Sequence, residues 1–479
     1  MENTVIFQTF EWNSPSDGTF YDNLAAKAQE LKELAVAAVW LPPAMKGVSP
    51  FDVGYTAYDI WDLGEFEQHG ERRTKYGTVW QLRACIEALH EAGIQVFADL
   101  VYNHKGGADY TERCEAVPVN PDNRLEEVGK PREIEAWTGF NFPGRQGQYS
   151  DFVWNFNHFT GVDFDQLTGE SGIFRILGEN KTWAPDTDKE HGNFDYLMNA
   201  DINHSHPEVR EELIRNALWL IEEFGYDGFR LDAIKHISAE FIKELQARVR
   251  ERYPETQFIG EYWQGSEAPL SAYLKFTDYN LRLFDVPLHF NLQAAASDPD
   301  YDYAKLFAGT LLQDSPLNSI TFVDNHDSQP GQSLESWVAE EFRELANALI
   351  LLKRDAYPCI FAGDFYGLEG SEYGGLGERL RLLLELRRDY AYGEEEVFLA
   401  EAGAYGIIRH GDEEHPGKLI FAFSRNGERE LEVMLGEEYA GRTFLDRSNQ
   451  EAEVEYRVDD DGVLRCQLEA DQTVYLVTV

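Results

Sequence analysis

Residues 227–236, Asp-Gly-Phe-Arg-Leu-Asp-Ala-Ile-Lys-His, have the pattern of a buried strand that ends in charged residues. The strand-favouring apolar residues Phe229 and Leu231 alternate with two opposite charges, Arg230 and Asp232. In a strand these two charged side chains are two positions apart and point to the same face. Burying charges is costly unless they are paired, so they form either a structural ion pair or part of a functional site.

Two later segments have the same form and favour the functional interpretation. Residues 258–263, FIGEYW, place Glu261 beside aromatic residues, and residues 320–327, ITFVDNHD, end in a dense polar cluster. Three apolar strands, each with a carboxylate at its C-terminal end, are what a β/α barrel needs to build an active site on one face. We therefore expect these carboxylates to lie close together.

Strand and helix patterns alternate along most of the first 395 residues. For example, Leu82, Ile86 and Leu89 form a helical stripe that ends at Gly93, and a predicted strand follows it. Such alternation predicts a parallel sheet with right-handed crossovers, and eight strands in this order predict a (β/α)8 TIM barrel. Besides residues 227–236 and 258–263, the predicted barrel strands are residues 5–12, 38–43, 94–101, 283–288, 320–327 and 358–363.

The alternation is broken in two places. Residues 105 to about 200 are rich in Gly, Asn, Asp and aromatic residues and show little helical period, which indicates an inserted domain. After residue 395 the patterns become purely β, and Asn426-Gly427 between two apolar runs predicts a hairpin turn in a C-terminal antiparallel β-domain. The predicted segments are a first barrel part at 1–104, an inserted domain at 105–205, a second barrel part at 206–394 and a β-sandwich at 395–479.

Composition limits the classes of partner. The chain has 479 residues, with 42 Lys plus Arg against 86 Asp plus Glu, a formal net charge of −44. This acidic balance argues against nucleic acid or an anionic membrane as a partner and is typical of a solvated surface. The four cysteines have no metal-ligand spacing, and the first residues lack the basic and apolar regions of a signal peptide. We therefore expect a cytoplasmic protein.

Four segments together resemble a known family. GFRLDAIKH (228–236), GEYW (260–263) and FVDNHD (322–327), preceded by DLVYNH (99–104), look like the four ordered signature regions of the α-amylase family of glycoside hydrolases. Shorter stretches between them resemble the liquefying-type bacterial α-amylases and their cytoplasmic relatives. The resemblance implies a TIM barrel with an irregular β-rich domain inserted after the third strand and a C-terminal antiparallel β-domain.

The resemblance also implies roles for the three carboxylates. Asp232 would be the nucleophile of a retaining mechanism, Glu261 the general acid/base, and Asp327 the carboxylate that binds sugar hydroxyls and stabilises the transition state. We expect Arg230 to keep Asp232 ionised, because an adjacent positive charge lowers the pKa of an acid. The aromatic residues beside Glu261 suit a carboxyl group that holds its proton.

Further side chains match family positions that bind the glucan. Two histidines would grip the sugar at the cleavage subsite, one tyrosine would stack on it, and three residues would bind the chain beyond the cut. With the arginine already described, the predicted substrate-binding set is Tyr55, His104, Arg230, Lys235, His236, Trp263 and His326.

A calcium ion is the implied cofactor. The side chains of Asn103, Asp195 and Asp201 and the backbone carbonyl of His236 match the family's structural calcium ligands, with Asp163 as a further candidate. All of them supply oxygen, the ligand type that a hard cation requires. The chain departs from liquefying relatives at Ala184, where they have an Asp, which argues against a multi-metal cluster unless Asp186 substitutes for it.

The resemblance leaves three functions to compare. The first is retaining endo-hydrolysis of α-1,4-glucosidic bonds in starch, glycogen or maltodextrins. The alternative is a maltooligosaccharide-forming or transglycosylating relative that acts on short maltodextrins. The remote alternative is a non-catalytic glucan-binding protein, which would be expected to lack at least one of the three carboxylates.

Overall fold

A closed barrel of eight parallel strands forms the centre of the protein. The computed structural model describes residues 3–448 and 454–479. Each strand pairs in parallel with its neighbours in chain order, the eighth pairs with the first, and a bridge between Thr321 and Pro358 joins the seventh to the eighth. The predicted TIM barrel is confirmed, with strands Val5–Gln8, Val36–Trp40, Gln95–Leu100, Gly228–Leu231, Gln257–Gly260, Arg282–Phe284, Ser319–Ile320 and Cys359–Phe361.

Helices connect the barrel strands and cover them. The helix Val79–Glu91 illustrates the local signals: Thr78 and Gln81 form a capping box, and Leu82, Ile86 and Leu89 are buried against the barrel. The helices are Phe20–Ala26, Ala28–Glu33, Val79–Glu91, Pro207–Phe224, Ala239–Arg252, Glu267–Phe276, Val286–Ser297, Leu311–Asp314, Arg343–Leu351, Ala362–Tyr366 and Glu378–Tyr390.

Several barrel strands are shorter than the apolar runs predict. The sixth strand ends at Phe284, because the side chain of Asp285 caps the helix that begins at Val286 by accepting the backbone N–H of Leu288. The eighth strand similarly ends at Phe361, where a short helix starts. In both places the apolar run continues from the strand into the helix that follows, so the hydrophobic pattern alone does not show where the strand ends.

A seven-stranded antiparallel sheet lies between the third and fourth barrel strands. Its edge strand pairs His104 with Asp201 and Lys105 with Ala200, and so joins the inserted segment to the carboxyl end of the third barrel strand. The precise residues at which the domains were predicted to divide stay a prediction. The strands are His104–Lys105, Tyr110–Asn120, Asn123–Glu127, Arg132–Gly139, Phe159–Asp165, Glu170–Ile176 and Ala200–Ile202.

The C-terminal part is antiparallel, as predicted, but the predicted hairpin at Asn426-Gly427 is wrong. Leu419–Ser424 pairs within a six-stranded sheet, whereas Arg429–Met434 pairs with Val463–Leu468 in a second sheet. The turn therefore leads the chain from one sheet to the other, and a local turn signal does not distinguish these outcomes. The other strands of the larger sheet are Glu395–Glu401, Ala404–Arg409, Thr443–Asp446, Val454–Arg457 and Gln472–Thr478.

Two global features bear on the chain's environment. All four cysteines, Cys85, Cys114, Cys359 and Cys466, are buried and unbridged. Within residues 3–448 and 454–479, the helices lack the combination of length and apolar character that crossing a bilayer requires.

Candidate active site

The carboxyl ends of three neighbouring barrel strands meet around Arg230, which is 1% exposed. One of its terminal nitrogens, Nη1, donates to Asp232 Oδ1 at 2.7 Å and to Asp99 Oδ1 at 2.8 Å, and Nη2 donates to the carboxylate of Glu261. The register explains the arrangement, because Arg230 pairs with Asp99 on one side and with Ile259 on the other. The structure thus brings the predicted nucleophile and the predicted acid onto a single guanidinium.

The net shift of the pKa of Asp232 is opposite to the one expected from its contact with Arg230. Burial raises the pKa of Asp232 well above its ordinary value, and the charges of Glu261, Asp99 and Asp327 raise it further. Arg230 lowers it, but its single charge is shared among several carboxylates. Burial raises the pKa of Asp99 as well, so several of the carboxyl groups around this single guanidinium bind a proton more tightly than free carboxyl groups do.

Asp327 and His326 follow the seventh strand on the same face. Burial and the charge of Glu261 raise the pKa of Asp327 to about 8. Burial lowers the pKa of His326 well below its ordinary value, so the ring is neutral. Gln8 Nε2 lies 3.0 Å from Nδ1 of His326, which accepts its hydrogen and leaves the proton on Nε2, 3.2 Å from Asp327 Oδ2. His326 is therefore a hydrogen-bond donor at the catalytic face.

An aromatic wall borders the carboxylates. The ring of Tyr55 is stacked on His326 with centroids 4.9 Å apart, and Trp12 is stacked on both at 6.0 Å. The hydroxyl of Tyr55 donates to Asp99 Oδ2 at 2.7 Å, which fixes the ring. Tyr55 is half-buried, so part of its ring remains available to the apolar face of a pyranose.

His104 is held by the backbone of the same segment. Its Nε2 donates to the carbonyl of Tyr55 at 2.8 Å, and burial lowers the pKa of the ring to about 4. Because Nε2 already has a protein partner, the predicted contact between His104 and the sugar stays a prediction.

Three predicted substrate residues lie together on the other side of the cluster. Lys235 donates to the carboxylate of Glu190 and, at 3.2 Å, to the backbone carbonyl of Trp263. The ring of His236 donates from Nδ1 to Phe194 O at 2.7 Å, and burial lowers its pKa to about 3. These contacts tie the inserted segment to the barrel at the edge of the site.

The predicted calcium ligands form a buried group with unsatisfied oxygen. Asp195 and Asp201 are 2% and 1% exposed, and burial raises the pKa of Asp195 to about 7 and that of Asp201 well above its ordinary value. The charge of Asp195 raises the pKa of Asp201 further, and Oδ1 of Asp201 has no hydrogen-bond partner among the described residues. Two facing carboxylates with an unpartnered oxygen are the environment that a divalent cation neutralises.

The surroundings of Asn103 also fit a cation. Asn103 Nδ2 donates to the carbonyl of His236 at 3.0 Å, while Oδ1 lies 3.2 Å from Nδ1 of His104. That Nδ1 bears no proton, because Nε2 of the neutral ring donates to Tyr55. If the side-chain amide of Asn103 is flipped, its Nδ2 donates to Nδ1 of His104 and its Oδ1 lies beside the carbonyl oxygen of His236. Two such neighbouring oxygens are stabilised only by a cation that binds both.

Two other acidic residues were considered as ligands of the cation, and their surroundings point to it less directly. Asp163 is exposed and accepts the backbone N–H of Asn199 at 3.0 Å. Asp186 Oδ2 accepts from Ser238 Oγ and from the backbone N–H of Glu240, both at 2.8 Å, and so helps to cap the following helix. Its charge raises the pKa of Asp195, and its substitution for the Asp that Ala184 replaces stays a prediction.

Sequence reasoning missed three residues at the site. Asp99 accepts hydrogen bonds from Arg230, Tyr55 and the indole N–H of Trp40, and its position as a carboxylate within an apolar strand was the available signal. Trp12, just after the first strand, was marked only as the end of a strand. Nothing in the local sequence distinguishes Glu190, the partner of Lys235, from other loop acids.

Comparison with known proteins gives a consistent result. A family model described as the α-amylase catalytic domain matches residues 16–402. An α-amylase of Geobacillus stearothermophilus is 43% identical over 463 residues, which cover 96% of this chain and 84% of that protein. A glucan 1,4-α-maltohexaosidase of Bacillus sp. (strain 707) is 44% identical over 93% of this chain and 86% of its own length. A cytoplasmic α-amylase of Escherichia coli (strain K12) is 39% identical over 93% of both chains.

Solved structures support the fold. An α-amylase of Anoxybacillus superimposes with a TM-score of 0.67 at 18% identity, over 100% of this chain and 98% of that chain. An α-amylase of Geobacillus thermoleovorans in complex with acarbose gives a TM-score of 0.65 at 16% identity, over 99% and 98% of the two chains.

Proposed function

This chain belongs to the α-amylase family of glycoside hydrolases, and we propose that it hydrolyses internal α-1,4-glucosidic bonds of starch, glycogen or maltodextrins with retention of configuration. The observation that supports this most is the bridging of Asp232 and Glu261 by Arg230. Carboxyl groups bound to two nitrogens of one guanidinium lie close together, which is compatible with the roughly 5–5.5 Å of retaining enzymes rather than the 6.5–9.5 Å of inverting ones.

In the first step Asp232 attacks the anomeric carbon while Glu261 gives its proton to the glycosidic oxygen. The bond to the leaving chain breaks, and a covalent glycosyl ester forms at Asp232. The hydrogen bond from Arg230 Nη1 favours the ionised form of Asp232 during attack. Asp327 and the Nε2–H of His326 would bind hydroxyls of the distorted sugar.

In the second step Glu261, now ionised, removes a proton from water. The resulting hydroxide attacks the anomeric carbon, the ester bond breaks, and Asp232 is regenerated as a carboxylate. Tyr55 and Trp12 would hold the sugar by stacking and shield the ester from bulk water, and Lys235 and Trp263 would contact the chain beyond the cut.

Calcium is the proposed resident ion. Asn103, Asp195, Asp201 and the carbonyl of His236 would hold it, with Asp163 as a further candidate. The ion would supply positive charge that neutralises the buried carboxylates and joins the inserted segment to the barrel. The unpartnered Oδ1 of Asp201 is the observation that supports this assignment.

Product size is the open part of the function. The similarity to a maltohexaosidase favours a maltooligosaccharide-forming or transglycosylating enzyme as the second candidate. A non-catalytic glucan-binding protein is a weaker alternative, because all three carboxylates are present and grouped. We also propose a cytoplasmic location, supported by the cytoplasmic relative and by four buried, unbridged cysteines.

Digestion of soluble starch by the wild type and by Glu261→Gln tests the proposal. We expect iodine staining to fall well before reducing ends accumulate for the wild type, and almost no activity for Glu261→Gln. The partly exposed Glu267→Gln serves as the matched control and should retain activity. A wild type that leaves starch intact but converts short maltodextrins supports the second candidate, and full activity of Glu261→Gln would overturn the site assignment.

A further inference from the structure

The first barrel strand places a polar side chain inside the barrel. Ile6 and Gln8 point to the same side of the strand, because successive side chains alternate, and Ile6 packs in the apolar cluster of the barrel interior. Gln8 is 1% exposed, and its backbone pairs with Trp40 on one side and with Phe361 on the other. Burying an amide among apolar residues is costly unless a hydrogen bond compensates it, so the partner of Gln8 indicates its role.

That partner is the ring of His326. Nε2 of Gln8 lies 3.0 Å from Nδ1 of His326, and within the described part of the chain this is the one hydrogen bond that the ring makes. Because His326 is 0% exposed, bulk water does not reach Nδ1 in place of Gln8. The rest of the ring is enclosed by four aromatic side chains, those of Phe10, Trp12, Trp40 and Tyr55.

The contact decides which ring nitrogen carries the hydrogen. A neutral imidazole has one donating and one accepting nitrogen. The ring of His326 is neutral, because burial and the charge of Arg230 lower its pKa well below the ordinary value. An amide N–H only donates, so Nδ1 accepts from Gln8 and the hydrogen of the ring lies on Nε2.

Nε2 of His326 faces the third catalytic carboxylate, because it lies 3.2 Å from Asp327 Oδ2. With the hydrogen on Nε2, the ring presents a donor to Asp327 and favours the ionised form of this carboxyl group. With the hydrogen on Nδ1, two accepting atoms would face each other at that distance, which disfavours the negative charge on Asp327.

We propose that Gln8 is a positioning residue of the reaction, which holds His326 in the tautomer that presents Nε2–H to Asp327. Gln8 acts through His326 and not through a contact of its own with any of the three catalytic carboxylates. The proposal rests on the proposed function, because that function makes Asp327 a catalytic carboxylate. The opposite orientation of the amide would place Oε1 of Gln8 against Nδ1 and require the other tautomer, so the position of one hydrogen decides between them.

Neutron diffraction from crystals of the full-length wild type in D2O tests the tautomer directly. We expect deuterium on Nε2 of His326 and none on Nδ1. Deuterium on Nδ1 would overturn the proposal, whatever the activity of the enzyme.

Gln8→Met tests whether the tautomer matters for the rate, because it keeps the length of the side chain and removes the donor. Nδ1 then lacks a partner, and both tautomers become populated. On starch we expect kcat to fall about tenfold with a smaller change in KM, because the ionised form of Asp327 is needed in the chemical step. An unchanged kcat would overturn the role of Gln8.

Gln246→Met is the matched control. Gln246 is also buried, at 2% exposure, but its amide makes no hydrogen bond to any described residue, and it belongs to the helix Ala239–Arg252. This variant should keep the kcat of the wild type. An equal loss of kcat in the two Met variants would show a general effect of removing a buried amide and would overturn the proposal.

Gln8→Glu separates positioning from a merely structural role. While the new carboxyl group and His326 share a proton, either the acid donates to Nδ1 or the carboxylate faces an imidazolium, and Nε2 keeps its hydrogen in both cases. Once that proton leaves, the carboxylate draws the remaining hydrogen onto Nδ1. The other groups that face this pair are Arg230 and Asp327, together with Tyr55 and Cys359, which burial keeps neutral by raising their pKa.

We therefore expect the kcat of Gln8→Glu to be close to that of the wild type at about pH 5 and to fall below it about tenfold by about pH 9. A loss of kcat that is the same at every pH would indicate a structural role alone and would overturn the proposal. Failure of the wild type to degrade any α-glucan would instead overturn the proposed function, and the hydrogen seen by neutron diffraction would be unaffected.

Discussion

Arg230 Nη1 lies 2.7 Å from Asp232 Oδ1, and the other terminal nitrogen of the same guanidinium donates to Glu261. A single buried positive charge therefore orients two carboxyl groups from adjacent strands. The planar fork of arginine makes this possible, whereas a lysine would offer a single point charge. The geometry of the site depends on this residue as much as on the carboxylates.

Arg230→Lys should lower kcat by about 10²–10³-fold with a smaller effect on KM, because the ammonium cannot hold both carboxyl groups in place. The matched control is Arg343→Lys. Arg343 is also fully buried and bridges two carboxylates, Asp324 and Asp364, but contacts none of the three catalytic carboxylates. Equal losses of kcat at matched stability in the two variants would contradict the positioning role of Arg230.

Arg230 in the fourth strand and Asp232 just after it show what sequence could predict here. The spacing of Arg230 and Asp232 indicated that both face one side, and the contact between them confirms this. It did not indicate that Asp99 and Glu261 compete for the same guanidinium, because cross-strand register lies outside any local pattern. Burial, together with the charges of Glu261, Asp99 and Asp327, outweighs the effect of Arg230, so the net shift of the pKa of Asp232 is upward.

Asp327 should make stability depend on pH. Its pKa is raised to about 8 in the folded state from an ordinary value of 3.8, so the folded state binds the proton more tightly than the unfolded state. Stability from this group is fully present below about pH 4 and is lost as pH rises towards about 8.

Asp327→Asn should therefore raise the melting temperature relative to the wild type at pH 8 but not at pH 4. The expected rise is roughly 2 °C for each kcal/mol of added stability. Activity should fall, because the substitution removes a proposed catalytic carboxylate. Calorimetric melting at both pH values measures the difference. The exposed Asp122→Asn should show no such pH-dependent gain. A gain for Asp327→Asn that is the same at both pH values would contradict the assigned direction.

Calcium should stabilise the protein through Asp201. At a thousandfold excess over Kd, a bound ion stabilises by about 4 kcal/mol, and a chelator should remove this contribution. Asp201→Asn should abolish the rise in melting temperature on adding calcium. Asp165→Asn removes another buried carboxylate of the same sheet, bonded to Thr168, and should keep the calcium response. Persistence of the response in Asp201→Asn would exclude this ion site.

Lys235 should affect the product distribution more than the rate of cutting. It is buried between Glu190 and the carbonyl of Trp263, where the chain beyond the cut would lie. Lys235→Ala should raise KM for maltohexaose roughly fivefold, equivalent to about 1 kcal/mol, and shift the sizes of early products. Chromatography of early time points measures this, and the partly exposed Lys243→Ala, whose ion pair with Asp278 lies on the surface, should leave the distribution unchanged.

The inserted segment and the C-terminal part mark the limit of sequence reasoning. The ligand set at Asn103, Asp195 and Asp201 came from resemblance, because residues so far apart in the chain share no local period. The Asn426-Gly427 turn was recognised, but which sheet the next strand joins depends on burial of Leu431 and Val433 between the two sheets. Local chemistry predicts a turn, whereas tertiary packing determines its partners.

The most direct test of the central claim is to trap the covalent intermediate. Glu261→Gln incubated with α-maltotriosyl fluoride needs no acid for the first step, because fluoride leaves unaided, but lacks the base for the second. Intact-mass and peptide mass spectrometry should find the sugar esterified to Asp232. An adduct on another carboxylate, or release of β-configured product without any adduct, would contradict the account.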